Sequence, residues 1–184
     1  MTSRTIHPVE RGYGVAMGVE VRLRPFEQGE FSNAVEPEAE YDDFGPQAGY
    51  GSPPPCRLEE QGAMAVEADG ELVGMVSWVW QRWGPNAGSS NPMIGIWLLA
   101  GHRGRGIGTA AQRQLVDLFF RHTPTNRVEA GTDVDNLAEQ RALEKVGLTR
   151  EGTARGAQWR DGAYRDVCTY AVLRADWTEG ARPG

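Results

Sequence analysis

Cysteine is scarce in this chain: 184 residues hold two, Cys56 and Cys168. One pair makes no disulfide framework, and neither cysteine stands at metal-ligand spacing from a partner. The three histidines, His7, His102 and His122, are scattered, so no zinc site is expected and no metal is assigned. Long apolar runs are missing too. Nothing approaches the ~20 residues a membrane helix needs, so no membrane partner is expected. The stretch MTSRTIHPVERGYG lacks the apolar centre of an export leader, and a reducing cytoplasm is the expected setting. Positive charge is in deficit. The net charge of −6 argues against a nucleic-acid binder, whose footprint is basic. The length suits one domain with a real core.

Within this acidic chain lies one basic, glycine-rich island. Ile94–Leu99 is an apolar run that reads as a buried strand. Arg103-Gly104-Arg105-Gly106-Ile107-Gly108 follows as an elbow. A helix then opens, with Ile107, Ala111, Leu115, Leu118 and Phe119 at spacings of three and four that place one stripe on the core. Strand, glycine elbow and helix start make a phosphate cradle. The first turn of a helix has backbone N–H groups without helical partners, at the positive end of the macrodipole. Glycines let a bulky anion come close, and Arg103 and Arg105 add charge-assisted bonds. A small phosphorylated ligand fits this island better than a polyanion does.

Several readings compete for the elbow. A Walker A loop would end in Gly-Lys-Ser or Gly-Lys-Thr, whereas this one ends Gly108-Thr109-Ala110. Gly106 to Ala111 matches the dinucleotide pattern G-x-G-x-x-A, and Glu129 lies about 20 residues on, where a ribose-binding acid would stand. Topology counts against a dehydrogenase. A dinucleotide domain repeats βαβ units and puts its fingerprint after the first strand, whereas here the elbow comes late. The bland alternative is a glycine turn before an ordinary helix.

Residues 1–18 read as a flexible arm, and 178–184 as a tail. Val19–Arg24 alternates as a first strand. Residues 27–62 are irregular, with a short helix candidate at Ser32–Tyr41. This stretch carries nine acidic residues against Arg57 alone. Beside a site it would attract a cationic acceptor; otherwise it is a solvated loop. Ala63–Glu67 and Leu72–Trp80 form a hairpin across Asp69-Gly70, and Ile94–Leu99 completes a meander. After the elbow helix, Arg127–Thr132 should run parallel to Ile94–Leu99. A helix at Asn136–Val146 turns Ala138, Ala142, Leu143 and Val146 inward and stops at Gly147. A final hairpin, Leu148–Gln158 and Tyr164–Leu173, turns at Asp161-Gly162. Trp78, Trp80, Trp97 and Trp159 either floor an acceptor pocket or pack the sheet.

Taken together, the chain resembles the GCN5-related N-acetyltransferase (GNAT) superfamily, and within it the RimJ/RimL-type branch, over residues 19–177. Arg103 to Gly108 matches the acyl-CoA loop R/Q-x-x-G-x-G/A. Asp135-Asn136 through Leu143-Glu144-Lys145-Val146-Gly147 is similar to the branch's D-x-N-x-x-S…L-E-K-x-G-F helix. Glu151-Gly152 and Asp161 to Asp166 resemble its closing hairpin. The resemblance implies an α/β (α+β) fold with a mixed central sheet of six to seven strands, splayed between the two parallel middle strands and flanked by helices. It also implies a bulge in the strand before the elbow. It implies acetyl-CoA or another acyl-CoA as co-substrate, with diphosphate on the amides of Gly104, Arg105, Gly106, Ile107, Gly108 and Thr109, beside Arg103. Pantetheine would bond main chain at Leu98, Leu99 and Ala100, and Asn136 would hold it from the second helix. The Leu98 N–H would receive the thioester oxygen.

The implied activity is acyl transfer to a primary amine of a small molecule or a protein N-terminus, by direct transfer in a ternary complex. Departures from the pattern raise a competing reading, a non-catalytic acyl-CoA-binding domain. Where the branch carries a serine, this chain has Glu139, which also suits a capping box with Asn136. The tyrosine used as acid by other members is replaced by Leu143. The glutamate base of RimL-like enzymes is replaced by Gln158, which takes no proton at neutral pH. Glu129 is then the first candidate base and Asp161 the second, an ion pair with a neighbour being the ordinary role for Glu129. Positioning and the oxyanion contact should carry most of the catalysis. The final strand and the edges of the meander offer surfaces for a homodimer.

Overall fold

The structure is a computed structural model that describes residues 14–16, 18–31, 41, 44 and 55–177. Strands β1 (Gly14–Ala16), β2 (Val19–Arg24), β3 (Gly62–Ala68), β4 (Glu71–Arg82) and β5 (Ser90–Leu98) come first. Helix α1 (Ile107–His122), β6 (Arg127–Asp133) and α2 (Leu137–Val146) follow, then β7 (Thr149–Arg160) and β8 (Ala163–Leu173). They form one sheet in the order β1-β2-β3-β4-β5-β6-β8-β7, in which only β5 and β6 run parallel. The expected α/β class and mixed sheet are both present. The eighth strand is β1, which pairs with β2 from within the stretch read as a loose arm. The helix candidate at 32–41 and the tail at 178–184 lie outside the described residues, apart from Tyr41.

Helix α1 forms where the apolar spacing places it. Ile107, Ala111, Leu115, Val116 and Phe119 are wholly buried. Burying Leu115, Val116 and Phe119 contributes about 2 kcal/mol each. The rings of Trp78 and Trp80 meet Phe119 edge-on at 5.7 and 6.0 Å, so these two tryptophans are core residues. Their indole nitrogens donate to the carbonyls of Glu60 and Leu58, tying the segment before β3 to the sheet. Helix α2 adds Leu143 and Val146 to the same core, while Ala138 stays exposed. Both Asp–Gly hairpin turns are as expected, with Asp69 and Asp161 at φ 50° and 51°. Both cysteines are free, and burial pushes the Cys56 thiol upward.

Two expectations are corrected. The final strand is no edge, because β8 lies between β6 and β7; β7 is the margin, and its register slips twice, near Gly152 and between Ala154 and Gln158. The bulge also sits elsewhere. Strand β5 pairs with β4 without a break from Ser90↔Arg82 to Leu98↔Gly74. The extra residue is Val73 of β4, between the pairs Gly74↔Val66 and Leu72↔Glu67. The physical reason is at Gly74, φ 156°, where the backbone of β5 presses in. A Cβ there would lie 2.2 Å from the Trp97 carbonyl oxygen and 2.8 Å from the Leu98 Cα. Gly74→Ala should therefore cost about 1–3 kcal/mol of stability by overpacking, read as a lower urea midpoint.

Candidate active site

The elbow begins where β5 stops. One 3-10 turn, Ala100–His102, turns the chain, and α1 starts behind Gly106, which holds φ 77° and offers no side-chain cap. The Ala110 N–H is bonded to the Gly106 carbonyl at 3.0 Å. The N–H groups of Ile107, Gly108 and Thr109 precede the first helical bond and face outward. No acidic side chain competes in this first turn. The Ile107 side chain itself is in the core, so only its amide serves the cradle.

A cleft of about 520 Å³ runs from this helix start into the sheet. Its depth comes from the parallel pair. Strands β5 and β6 share only Met93↔Glu129 and Ile94↔Ala130, then part. Beyond that point, among the described residues, β5 pairs with β4 alone. The Leu99 N–H donates to the Val73 carbonyl at 3.0 Å, toward β4. Peptide groups alternate along a strand, so the Leu98 and Ile96 amides face the opening between β5 and β6. The Leu98 carbonyl faces it too, where it accepts from Arg103 Nε at 2.8 Å. Leu98, Arg103, Gly104, Gly106, Gly108, Thr109, Asn136, Glu139 and Gln158 all line the cleft. Leu99, Ala100 and Arg105 are not among its lining residues, and the Leu99 amide is spent on β4.

The two faces of the opening differ. Ile94 and Ala130 point to the helices and join their core. On that side α2 begins behind Asn136, whose Oδ1 accepts the Glu139 N–H at 3.1 Å. This is half of a capping box. The return bond is not made, because the Asn136 N–H goes to the Asp133 carbonyl at 3.1 Å. The Glu139 carboxyl instead lies against α1, and burial pushes it up to about 7 although a Gln112 hydrogen bond favours its charged form.

The opposite face carries Glu129 and Asp133. Glu129 is 3% exposed, and its Oε1 accepts from Trp83 Nε1 and Arg127 Nε, both at 2.7 Å. Arg127 in turn pairs with Glu151. Glu129 is not among the cleft's lining residues, and its carboxylate belongs to this ion-pair chain. Asp161, 66% exposed at a hairpin turn, pairs with Arg165 at 3.1 Å and is also outside the cleft. Buried Asp133 pairs with buried Arg160. Burial opposes ionisation of Asp133, but the Asp135 N–H and Arg160 together hold its carboxyl below the usual range. Tyr41 stacks on the Arg160 guanidinium at 5.0 Å and donates to the Asp135 carbonyl at 3.2 Å. Tyr41 and Phe44 line the cleft without any local pattern that marks them; so do Arg141 and Lys145, which the helix motif contains without marking. Of the four candidate tryptophans only Trp97 lines it, while Trp159 is exposed beside Tyr164 at the hairpin tip.

A family model described as the acetyltransferase (GNAT) domain matches residues 22–149. The chain is 31% identical over 109 residues to a putative ribosomal N-acetyltransferase, YdaF, of Bacillus subtilis, covering 59% of this chain and 57% of that protein. It is 40% identical over 83 residues to the probable N-acetyltransferase YjcK of the same organism, covering 45% and 46%. The chain thus matches about half the length of these curated relatives. Among solved structures it is similar to Mycobacterium smegmatis RimJ in complex with CoA-disulfide. The TM-score is 0.60 and the identity 27%, covering 66% of this chain and 57% of that one.

The buried carboxyl gives a test by stability. Burial pushes the Glu139 carboxyl from its ordinary 4.5 up to about 7 in the fold. The fold holds this proton more tightly than the unfolded chain, so its contribution to stability falls as pH rises through that window. Glu139→Gln removes the penalty. The variant and the parent should melt close together at pH 4, and the variant should melt higher at pH 8, by calorimetry.

Proposed function

The chain belongs to the GNAT acetyltransferase family, on its RimJ/RimL-type branch, and from that premise we propose that it moves an acyl group from acyl-CoA directly to a primary amine. A protein N-terminus is the favoured acceptor, in keeping with a relative named as a putative ribosomal N-acetyltransferase, and a small amine is the other class. The observation that carries this reading is the continuity of one cleft. It joins uncapped amides at the start of α1 to the Leu98 strand amide that faces the opening. A diphosphate suits the first feature and a thioester oxygen suits the second.

Acyl-CoA supplies an activated carbonyl as substrate. The amides of Ile107, Gly108 and Thr109 hold its diphosphate. Arg103 assists from the elbow, and Arg141 and Lys145 face them across the cleft. Arg103 must leave the Leu98 carbonyl to do so, and that release frees the carbonyl for the pantetheine arm. Asn136, its Oδ1 engaged in capping, offers its amide NH2 to the same arm. The Leu98 N–H stabilises negative charge as the amine adds to the carbonyl. The acceptor reaches the opening from the face of Tyr41, Phe44 and Gln158. No base is required for an amine that is neutral at working pH, and Gln158 orients it or a water.

The competing reading, CoA binding without turnover, draws on Glu139 and Gln158 standing where the branch carries a serine and a glutamate. Thiol release from acetyl-CoA across a panel of amines and short peptides separates the two. Gly108→Glu tests the cradle. A glutamate in a first helical turn is tolerated by the helix but repels a diphosphate. Calorimetric titration should show CoA binding weakened at least about 10-fold, with melting temperature little changed. Gln158→Glu should raise kcat/KM by about 10-fold or more for strongly basic amines at neutral pH, through restored proton removal.

A further inference from the structure

The cleft does not end at the Leu98 amide. Its walls continue down β5 through Trp97, Ile96 and Gly95 to Ile94, and they include Gly131 and Thr132 of β6. The floor is the pair Ile94↔Ala130, the last rung at which the two strands are joined. Gly95 lies about 10 Å along β5 from Leu98, at the usual strand rise. An acetyl methyl ends only about 1.5 Å past the thioester carbon. Resting on the acyl-transfer reading above, we propose that this blind end takes the acyl chain and that the preferred donor is an acyl-CoA longer than acetyl, with an uncharged chain of about four to six carbons.

Two glycines make the room. Gly95 and Gly131 stand one position past the last rung, one on each strand. Ile94 and Ala130 point to the helices, so both glycines face the other side of the sheet. The backbone requires neither of them. Neither has a positive φ. A Cβ would press first on side-chain ends, Ser77 Oγ at 3.2 Å from Gly95 and Val167 Cγ1 at 3.1 Å from Gly131, which a small shift relieves. Gly74 differs, since a Cβ there would strike main chain at 2.2 Å. Glycine weakens a strand, and inside one it often marks the close approach of a ligand. Gly131 is exposed between buried Ala130 and Thr132, so the space over it is open.

Direction and charge decide what enters. A thioester is planar, and its sulfur and acyl chain point away from each other. The cradle holds the carrier at the elbow end, so the chain points the other way, toward the glycines. The amine adds across the thioester plane, from the face of Tyr41 and Gln158, and does not compete for this end. The helix side of the end is made by Ile94 and Ile96, packed on the core, with Thr132 beside them. Glu129 and Asp133 flank Gly131 on its own face, and Arg127 and Arg160 are already paired with them. A chain ending in a carboxylate would meet two like charges there and find their partners taken.

The test uses the full chain and calorimetric titration with CoA, acetyl-CoA, butyryl-CoA, hexanoyl-CoA and succinyl-CoA. No amine is present, so binding is read apart from turnover. Each buried methylene should tighten binding about four-fold. Butyryl-CoA should therefore bind at least about 10-fold tighter than acetyl-CoA, hexanoyl-CoA at least as tightly as butyryl-CoA, and succinyl-CoA no tighter than acetyl-CoA. Equal affinities for acetyl-CoA and butyryl-CoA overturn the proposal, and so does succinyl-CoA binding as tightly as butyryl-CoA. Gly95→Ala and Gly131→Ala narrow the end from its two walls, and each should cut the butyryl-to-acetyl affinity ratio by about three-fold or more. Variants that fold, bind CoA and keep the parental ratio overturn the assignment of the glycines. A raised KM for a peptide amine in these variants, at an unmoved acyl ratio, would give the space to the acceptor and overturn it too. Should one variant lose its cooperative melting transition, the other variant and the parental ratio decide. A parent protein that binds neither CoA nor any acyl-CoA is a separate outcome, and it overturns the acyl-transfer reading itself.

Discussion

Two residue pairs hold the middle of this sheet together, Met93↔Glu129 and Ile94↔Ala130. Everything functional depends on how little that is. A longer parallel ladder would satisfy the amides of Ile96 and Leu98 and close the cleft. A shorter one would leave two half-sheets with no common core. The chain stabilises the junction from both faces instead. On one side Ile94, Ala130 and Val128 pack against α1 and α2. On the other, Trp83, just past β4, donates to Glu129 of β6, and Arg127 ties that carboxylate on to Glu151. Backbone bonding is given up at the opening and offset by side chains around it.

That arrangement explains why β4 carries the irregularity. Strand β5 must stay straight enough to present Leu98 at the mouth of the opening, so the adjustment moves one strand outward. Val73 is squeezed out of register, and Gly74 lets the two backbones close to a distance no side chain allows. The Val73 carbonyl then takes the Leu99 amide and fixes which way the Leu98 amide points. A glycine in a neighbouring strand thus sets the direction of a group in the active cleft.

Local chemistry was legible in the sequence, and juxtaposition was not. Val19–Arg24, the elbow, α1 and both Asp–Gly turns are written in short-range patterns that tertiary structure had no reason to override. The Asn136 cap is of the same kind. Glu129 shows the limit. Its place in a strand was readable, but Trp83, 46 residues away, is what occupies its carboxylate, and no local pattern encodes that contact. Glu139 looked like the second half of a capping box until the Asp133 carbonyl took the bond it would have made. Tyr41 reaches the site from a stretch whose composition says only that it is acidic and irregular.

The margins of the sheet have a consequence for the chain in a crowded solution. Unpaired strand edges are templates onto which another strand can add, and flat ones invite amyloid-like growth. Here one margin is a strand of three residues, and the other, β7, slips register twice and carries Arg150, Glu151, Arg155 and Arg160 along its length. Among the described residues neither margin offers the long, even row of free peptide groups that a ninth strand would need, so the same twice-broken strand that shapes the closing hairpin also disfavours growth of the sheet by edge addition.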